Sequence, residues 1–223
     1  MASGTTPSIR INQKTTHLFY DGSKGRGELL HGQLLTSTTF GFNPAITARP
    51  YDPDKARALL KEAKFDFGKP IPIVTQSGKY VSDVDIGNAV AGMLGSIGVN
   101  ASVEVVEGGM FLQRQAATKM GPIHMIGWYS LGDADFANVW YTKAGRRSVW
   151  ESEEYERLFV AGRSTNDREA RLRAYHRMAE ILHEENPSMF LFGLPSLYGV
   201  NKKLSGFGAA SDKCLRLATA SLA

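Results

Sequence analysis

A chain of 223 residues with 26 Lys and Arg against 22 Asp and Glu can form one large domain or two small ones, and its net charge of +4 is mild. Its basic residues (Arg146-Arg147, Lys202-Lys203, and Arg168, Arg171, Arg173 and Arg177) are interleaved with acids. That leaves no single-sign stripe of the kind a phosphate backbone requires, so no nucleic-acid partner is expected. The single cysteine, Cys214, excludes an internal disulfide, no Cys/His cluster has zinc spacing, and no apolar run approaches the ~20 residues of a membrane helix.

In chain order, residues 8–20 (SIRINQKTTHLFY) read as a strand and DGSKGRGE as a glycine-rich link. LLHGQLL suggests a helical turn, and TSTTFGFNPAITARP has no period. PYDPDKARALLKEAKF opens a helix: Asp52 can cap, Pro53 sits where a missing N–H costs nothing, and Asp54 suits the positive end of the dipole. Its apolar stripe is Ala56, Leu59, Leu60 and Ala63. KPIPIVTQS (69–77) is a strand. VSDVDIGNAVAGMLGSIG is a helix with Ile86, Val90, Met93, Leu94 and Ile97 on one face. Gly92, Gly95 and Gly98 within it are expected to permit close packing. VNASVEVV (99–106) alternates as a strand, GGMFLQRQAATKM is helical, and GPIHMIGWY reads as a buried strand. This β-α-β-α-β order predicts an α/β unit with a largely parallel sheet. ESEEYERLFVAGRS and NDREARLRAYHRMAEILHEEN are helices; in the second, Asn166 and Glu169 are spaced as a capping box, and Leu172, Tyr175, Ala179 and Leu182 share a face. Pro187 ends it, and SMFLFGLPSLYGVN reads as strand, turn, strand.

The chemistry is sparse. No G-x-S-x-G or phosphate loop is present, and His176 and His183, two turns apart on one helix, suit a surface or satisfied pair better than a metal site. The informative stretch is GWYSLGDADFANVWY (127–141), rich in aromatics and carrying Asp133 and Asp135. Two readings stay open for these acids. They can cap a short helix before FANVWY, or they can be polar groups of a ligand site beyond the carboxyl end of the last parallel strand, where Trp128 and Tyr129 would present aromatic faces. A small metal-dependent α/β enzyme using both carboxylates, and an interaction module that has lost its cleft, are the competing functions.

Four segments resemble the extracytoplasmic solute-binding proteins of ABC transporters, in the family that binds oligopeptides, dipeptides, nickel and related solutes. They are YDPDKARALLKEAKF, IGNAVAGMLGSIGVNASVEVV, GPIHMIGWYSLGDAD and NDREARLRAYHRMAEILHEENPSMFLF, in the family's order over residues 40–208. The resemblance implies an α/β, periplasmic-binding-protein-like second lobe, with a mixed, mostly parallel sheet flanked by helices. Residues 1–39 would form a strand and linker, 40–208 the C-terminal lobe, and 209–223 a tail. It implies no enzymatic activity and no cofactor. The partners it implies are a small solute such as a peptide or an opine, a membrane permease, and an N-terminal lobe that this chain lacks; self-association of the isolated lobe would follow. The site residues would be Trp128, Tyr129, Ser130, Asp133, Asp135 and Asn138. In peptide-binding members an acid stands three residues past the family tryptophan; that position is Leu131 here, which leaves opines, sugars and other solutes open. The parent would be periplasmic or otherwise extracytoplasmic, although the start of this chain (MASGTTPSIRIN) shows no signal-peptide pattern.

Overall fold

The computed structural model describes residues 27–80, 82–145, 150–194, 198–209 and 215–222. The strand expected over 8–20, most of the glycine-rich link and Cys214 lie outside the described residues.

Three parallel strands organise the first half. β2 (Ile71–Thr75) lies between β3 (Ala101–Val105) and β4 (Ile123–His124), with Ile71 opposite Ala101 and Ile73 opposite Ile123. Being central, β2 buries all but Pro72. The crossovers are helices: α2 (Asp83–Ser96) leads from β2 to β3, and α3 (Gly108–Ala116) from β3 to β4. The β-α-β-α-β order is as expected. The strand read from GPIHMIGWY is not buried; only Ile123 and His124 pair with β2, and both keep some exposure to solvent, as an edge strand allows.

Ahead of the sheet, α1 (Pro53–Glu62) starts as its sequence signals require: the Asp52 carboxylate accepts from the Lys55 N–H at 2.8 Å, and Pro53 takes the first turn. Its Leu60 packs with Ile71, Ile73, Val90, Leu94, Ile97 and Val99 in the core beside the sheet. Gly92 and Gly95 correct the packing expectation. Both are exposed, and a β-carbon at either would meet nothing within 4 Å; the buried face of α2 is carried by Ile86, Gly87, Val90 and Leu94.

The second half is a helical pair. α5 (Glu153–Arg163) is capped by Ser152, and α6 (Arg168–Glu185) by Asp167, which accepts from the N–H groups of Glu169 and Ala170 at 2.9 and 3.2 Å. The cap is therefore Asp167, not Asn166. α6 ends on Asn186 in the left-handed conformation, one residue before Pro187. Tyr155, Phe159, Tyr175, Met178, Ile181 and Leu182 form a second core with the short α4 (Ala134–Asn138). Burying each of these large side chains is worth about 1.5–3 kcal/mol. His176 and His183 are satisfied, their ring nitrogens meeting the carbonyls of Phe42 and Gly32 at 2.9 and 3.1 Å.

LLHGQLL is not a helical turn: Glu28–Leu29 (β1) pairs antiparallel with Phe192–Gly193 (β5), and Gln33 turns inward to exchange hydrogen bonds with the Asn43 backbone. Nor is 209–223 a separate tail. Leu204–Ser205 (β6) pairs with Ser221–Leu222 (β9), and Gly208–Ala209 (β7) with Leu215–Arg216 (β8), so ladder hydrogen bonds cross the expected boundary. Among the described residues, no helix is long and apolar enough to cross a membrane.

Candidate functional site

The carboxyl ends of β2 and β4 give onto two loops, and a set of side-chain contacts ties them together. After β2 the chain turns around Asp83, whose buried carboxylate accepts four backbone N–H groups: Lys79 at 2.8 Å, Val84 at 2.9 Å, Tyr80 at 3.1 Å and Gly78 at 3.3 Å. Burial pushes its pKa up, but the four donors outweigh that and hold it below the ordinary aspartate value. The loop so fixed aims Tyr80 at the strand β4 loop. The Tyr80 hydroxyl accepts from the Gly127 N–H at 2.8 Å and donates to the Gly127 carbonyl at 3.4 Å. Burial raises the Tyr80 pKa, so the hydroxyl stays protonated and keeps both roles. The residue so anchored immediately precedes Trp128.

Trp128 is half-buried and stacks on Trp140, ring centroids 4.3 Å apart and planes within 10°. Phe136 meets Trp140 edge-on at 6.4 Å. Beside the stack, Tyr129 is 50% exposed. The chain then makes a tight turn from Ser130 to Asp133, closed by the Asp133 N–H on the Ser130 carbonyl at 3.0 Å, with Leu131 and Gly132 both at positive φ (50° and 86°). Those angles define the type I′ turn.

The segment with no sequence period, 36–43, holds this turn from the other side. The Phe40 N–H donates to the Gly132 carbonyl at 3.1 Å, the Ala134 N–H donates to the Phe40 carbonyl at 2.9 Å, and the Thr39 and Ser130 hydroxyls lie 3.0 Å apart. Arg168 and Arg171 from α6 lie over the Phe40 ring at 4.4 and 5.1 Å. Phe40, Thr39, Tyr80, Asp83 and Arg171 are the residues sequence reading missed as parts of the site. At the corner, Phe40, Thr39, Tyr80 and Arg171 meet partners 38 to 131 positions away, and Asp83 meets its own within five positions in irregular backbone, where periodicity gives no signal.

The two acids serve mainly as internal supports. Asp133 caps α4 by accepting the Asp135 N–H at 2.9 Å, and Arg171 donates to both of its oxygens at 3.0 and 2.9 Å. The capping reading of Asp133 is thus borne out. Asp135 pairs with Arg163 at 3.3 Å through one oxygen, while its other oxygen is buried and has no hydrogen-bond partner. Asn138 is a correction: at 3% exposed it cannot face a ligand, because its amide donates to the Ala134 carbonyl at 2.9 Å and its oxygen accepts from the Tyr155 hydroxyl. Its role is to fasten α4 to α5. The acids engage different arginines, and among the described residues no three His, Cys, Asp or Glu side chains gather as a metal-ligating group. Replacing Asp133 with Ala removes both a helix cap and a partly shielded ion pair, and is expected to cost about 2 kcal/mol in chemical denaturation. Asp133→Asn, which keeps a capping oxygen, is expected to lose about half of that.

In open parallel sheets ligands bind beyond the carboxyl ends of the strands, and the braced aromatic corner stands at that place. The comparisons name the class. The family model described as bacterial extracellular solute-binding proteins, family 5 Middle, matches residues 17–148, more than half of the chain, and the chain belongs to that family. It is 26% identical over 184 residues to a dipeptide-binding protein of Escherichia coli (strain K12), covering 78% of this chain and 34% of that protein. It is 28% identical over 179 residues to di/tripeptide-binding protein 2 of Pseudomonas aeruginosa (strain UCBPP-PA14), covering 75% of this chain and 33% of that one. Among solved structures, the dipeptide binding protein from Pseudoalteromonas sp. SM9913 in complex with Met-Leu superposes with a TM-score of 0.76 at 19% identity, over 93% of this chain and 43% of that one. HbpA2 from Haemophilus parasuis gives 0.73 at 21% identity, over the same shares. The periplasmic-binding-protein-like α/β fold is therefore established, and this chain spans about a third of the length of the curated relatives it matches.

Proposed function

We propose that this chain supplies one wall of a solute-binding cleft in an extracytoplasmic protein that delivers peptides or related small solutes to an ABC-type membrane permease. It performs no chemistry on them. The observation that carries this reading is the braced corner at the carboxyl end of the parallel sheet, where Tyr80 and Asp83 fix the approach to Trp128 and the Trp128–Trp140 stack stands beside exposed Tyr129. Family membership and the peptide-binding names of relatives support it. Trp128 and Tyr129 are the ligand-facing residues; Ser130, Asp133 and Asp135 shape the turn that carries them. A second wall comes from the part of the longer relatives that this chain does not match, and a hinge between lobes would absorb closure. Exposed Leu215, Leu217 and Leu222 near the C-terminus would be covered in such a protein and favour self-association of the 223-residue chain alone.

The test is calorimetric titration with dipeptides and tripeptides, using both the product of the complete reading frame and the 223-residue chain. The complete product is expected to bind with micromolar or tighter affinity. The chain alone is expected to bind roughly 100-fold more weakly or not at all, because pocket affinity depends on burying about 70–90% of the ligand. Equal affinity for both proteins would refute the shared-wall reading.

A further inference from the structure

The turn that carries the aromatic corner breaks a local rule. Six non-glycine residues among those described sit at positive φ, and five of them (His31, Lys64, Ser82, Thr118 and Asn186) are polar. The sixth is Leu131, which is also 45% exposed. A type I′ turn at this place is better served by Asn or Gly, and an aliphatic side chain in the left-handed conformation is disfavoured. Leu131 does not offset that by burial. Strain held at an exposed position beside a candidate ligand corner is a pointer to function. Nearby apolar residues are also exposed: Tyr129 lies just before the turn, and Phe136 is on α4 just after it. The charge at the corner, meanwhile, is already spent. Both oxygens of Asp133 receive Arg171, one oxygen of Asp135 receives Arg163, and the other is closed to solvent. An incoming ammonium that reached Asp133, whose side chain is 38% exposed, would have to share a carboxylate already held by a guanidinium.

We propose that Leu131 is a specificity-determining residue, and that Tyr129 and Leu131 together take an uncharged, apolar group of the solute in preference to a free ammonium. This rests on the solute-binding reading above. A ligand blocked at its amino terminus loses little at such a corner, because each carboxylate there is already paired with a guanidinium.

The experiment uses the product of the complete reading frame, titrated calorimetrically with Leu-Leu and with N-acetyl-Leu-Leu, as wild type and as Leu131→Asn. N-acetyl-Leu-Leu is expected to bind the wild type at least as tightly as Leu-Leu. Leu131→Asn suits the turn and is expected to raise Tm by about 2–4 °C while weakening N-acetyl-Leu-Leu roughly tenfold. A purely structural leucine would move Tm and leave affinity alone. Leu-Leu binding the wild type ten times more tightly than its acetylated form, or unchanged affinity in Leu131→Asn, would overturn this assignment and leave solute binding standing. Binding of neither peptide would overturn the peptide-solute reading, and this assignment with it.

Discussion

Replacing Asp83 with Ala is expected to destabilise the domain by about 3 kcal/mol, since a buried carboxylate receiving four backbone N–H groups leaves all four donors unmet when it is removed. Asn at this position should recover part of the loss through its carbonyl oxygen. The effect carries a pH signature. Asp83 titrates below the ordinary value of 3.8, the four N–H donors outweighing the upward push of burial. A carboxylate depressed in the folded state contributes stability that is fully present above its unfolded value and lost as pH falls through its folded value. The gap between wild type and Asp83→Ala should therefore stay constant from pH 7 to 5 and narrow below about pH 4. Urea unfolding of both proteins across that range is the measurement; a gap that is the same at pH 3 and pH 7 would exclude the ionised carboxylate as the source. Because the same carboxylate shapes the loop that aims Tyr80 at Gly127, the variant should also show faster amide exchange at Gly127.

Gly41→Ala is the second large effect, at about 4 kcal/mol. The residue sits at φ +98°, where an L side chain is strained, and its β-carbon would lie 2.5 Å from Ala134 Cβ and 3.1 Å from Tyr175 Cβ. Neither neighbour can retreat: both are fully buried, and Ala134 lies at the start of α4. Left-handed strain of about 1–2 kcal/mol and overpacking of about 1–3 kcal/mol together give the figure. The substitution would also push the 36–43 segment off the Ser130–Asp133 turn, so a fall in Tm and a loss of solute binding are expected together. Gly92→Ala is the matched control. With open space around it on an exposed helix face, it should stabilise the protein by about 0.5–1 kcal/mol, so a destabilised Gly92→Ala would show that glycine substitution costs something here beyond crowding and φ.

How far the site was legible follows from the range of each interaction. Asp52 capping α1 and the apolar faces of α2 and α6 rest on contacts within one or two turns, so spacing alone announces them, whereas for Asp133 capping was one of two readings left open. Trp128 and Tyr129 were marked by their clustering after a predicted strand. The fate of Asp135 and Asn138 was not legible, because Arg163 and Tyr155 come from α5, 28 and 17 positions away. The same holds for Gly92 and Gly95, whose spacing suggests packing until the neighbouring elements are seen to lie on the other face.

The chain's own periodicities determined the order of strands and helices, the parallel sheet and most helix ends, because hydrophobic spacing and capping are local physics. Only the tertiary structure decided what the acidic-aromatic corner is. Arg171 from α6, Phe40 from an aperiodic segment and Tyr80 from the opposite loop converge there through contacts far apart in sequence, neutralising the carboxylates and leaving Leu131 and Tyr129 outermost. Side-chain convergence of that kind depends on how the elements pack, and no spacing along a single chain encodes it.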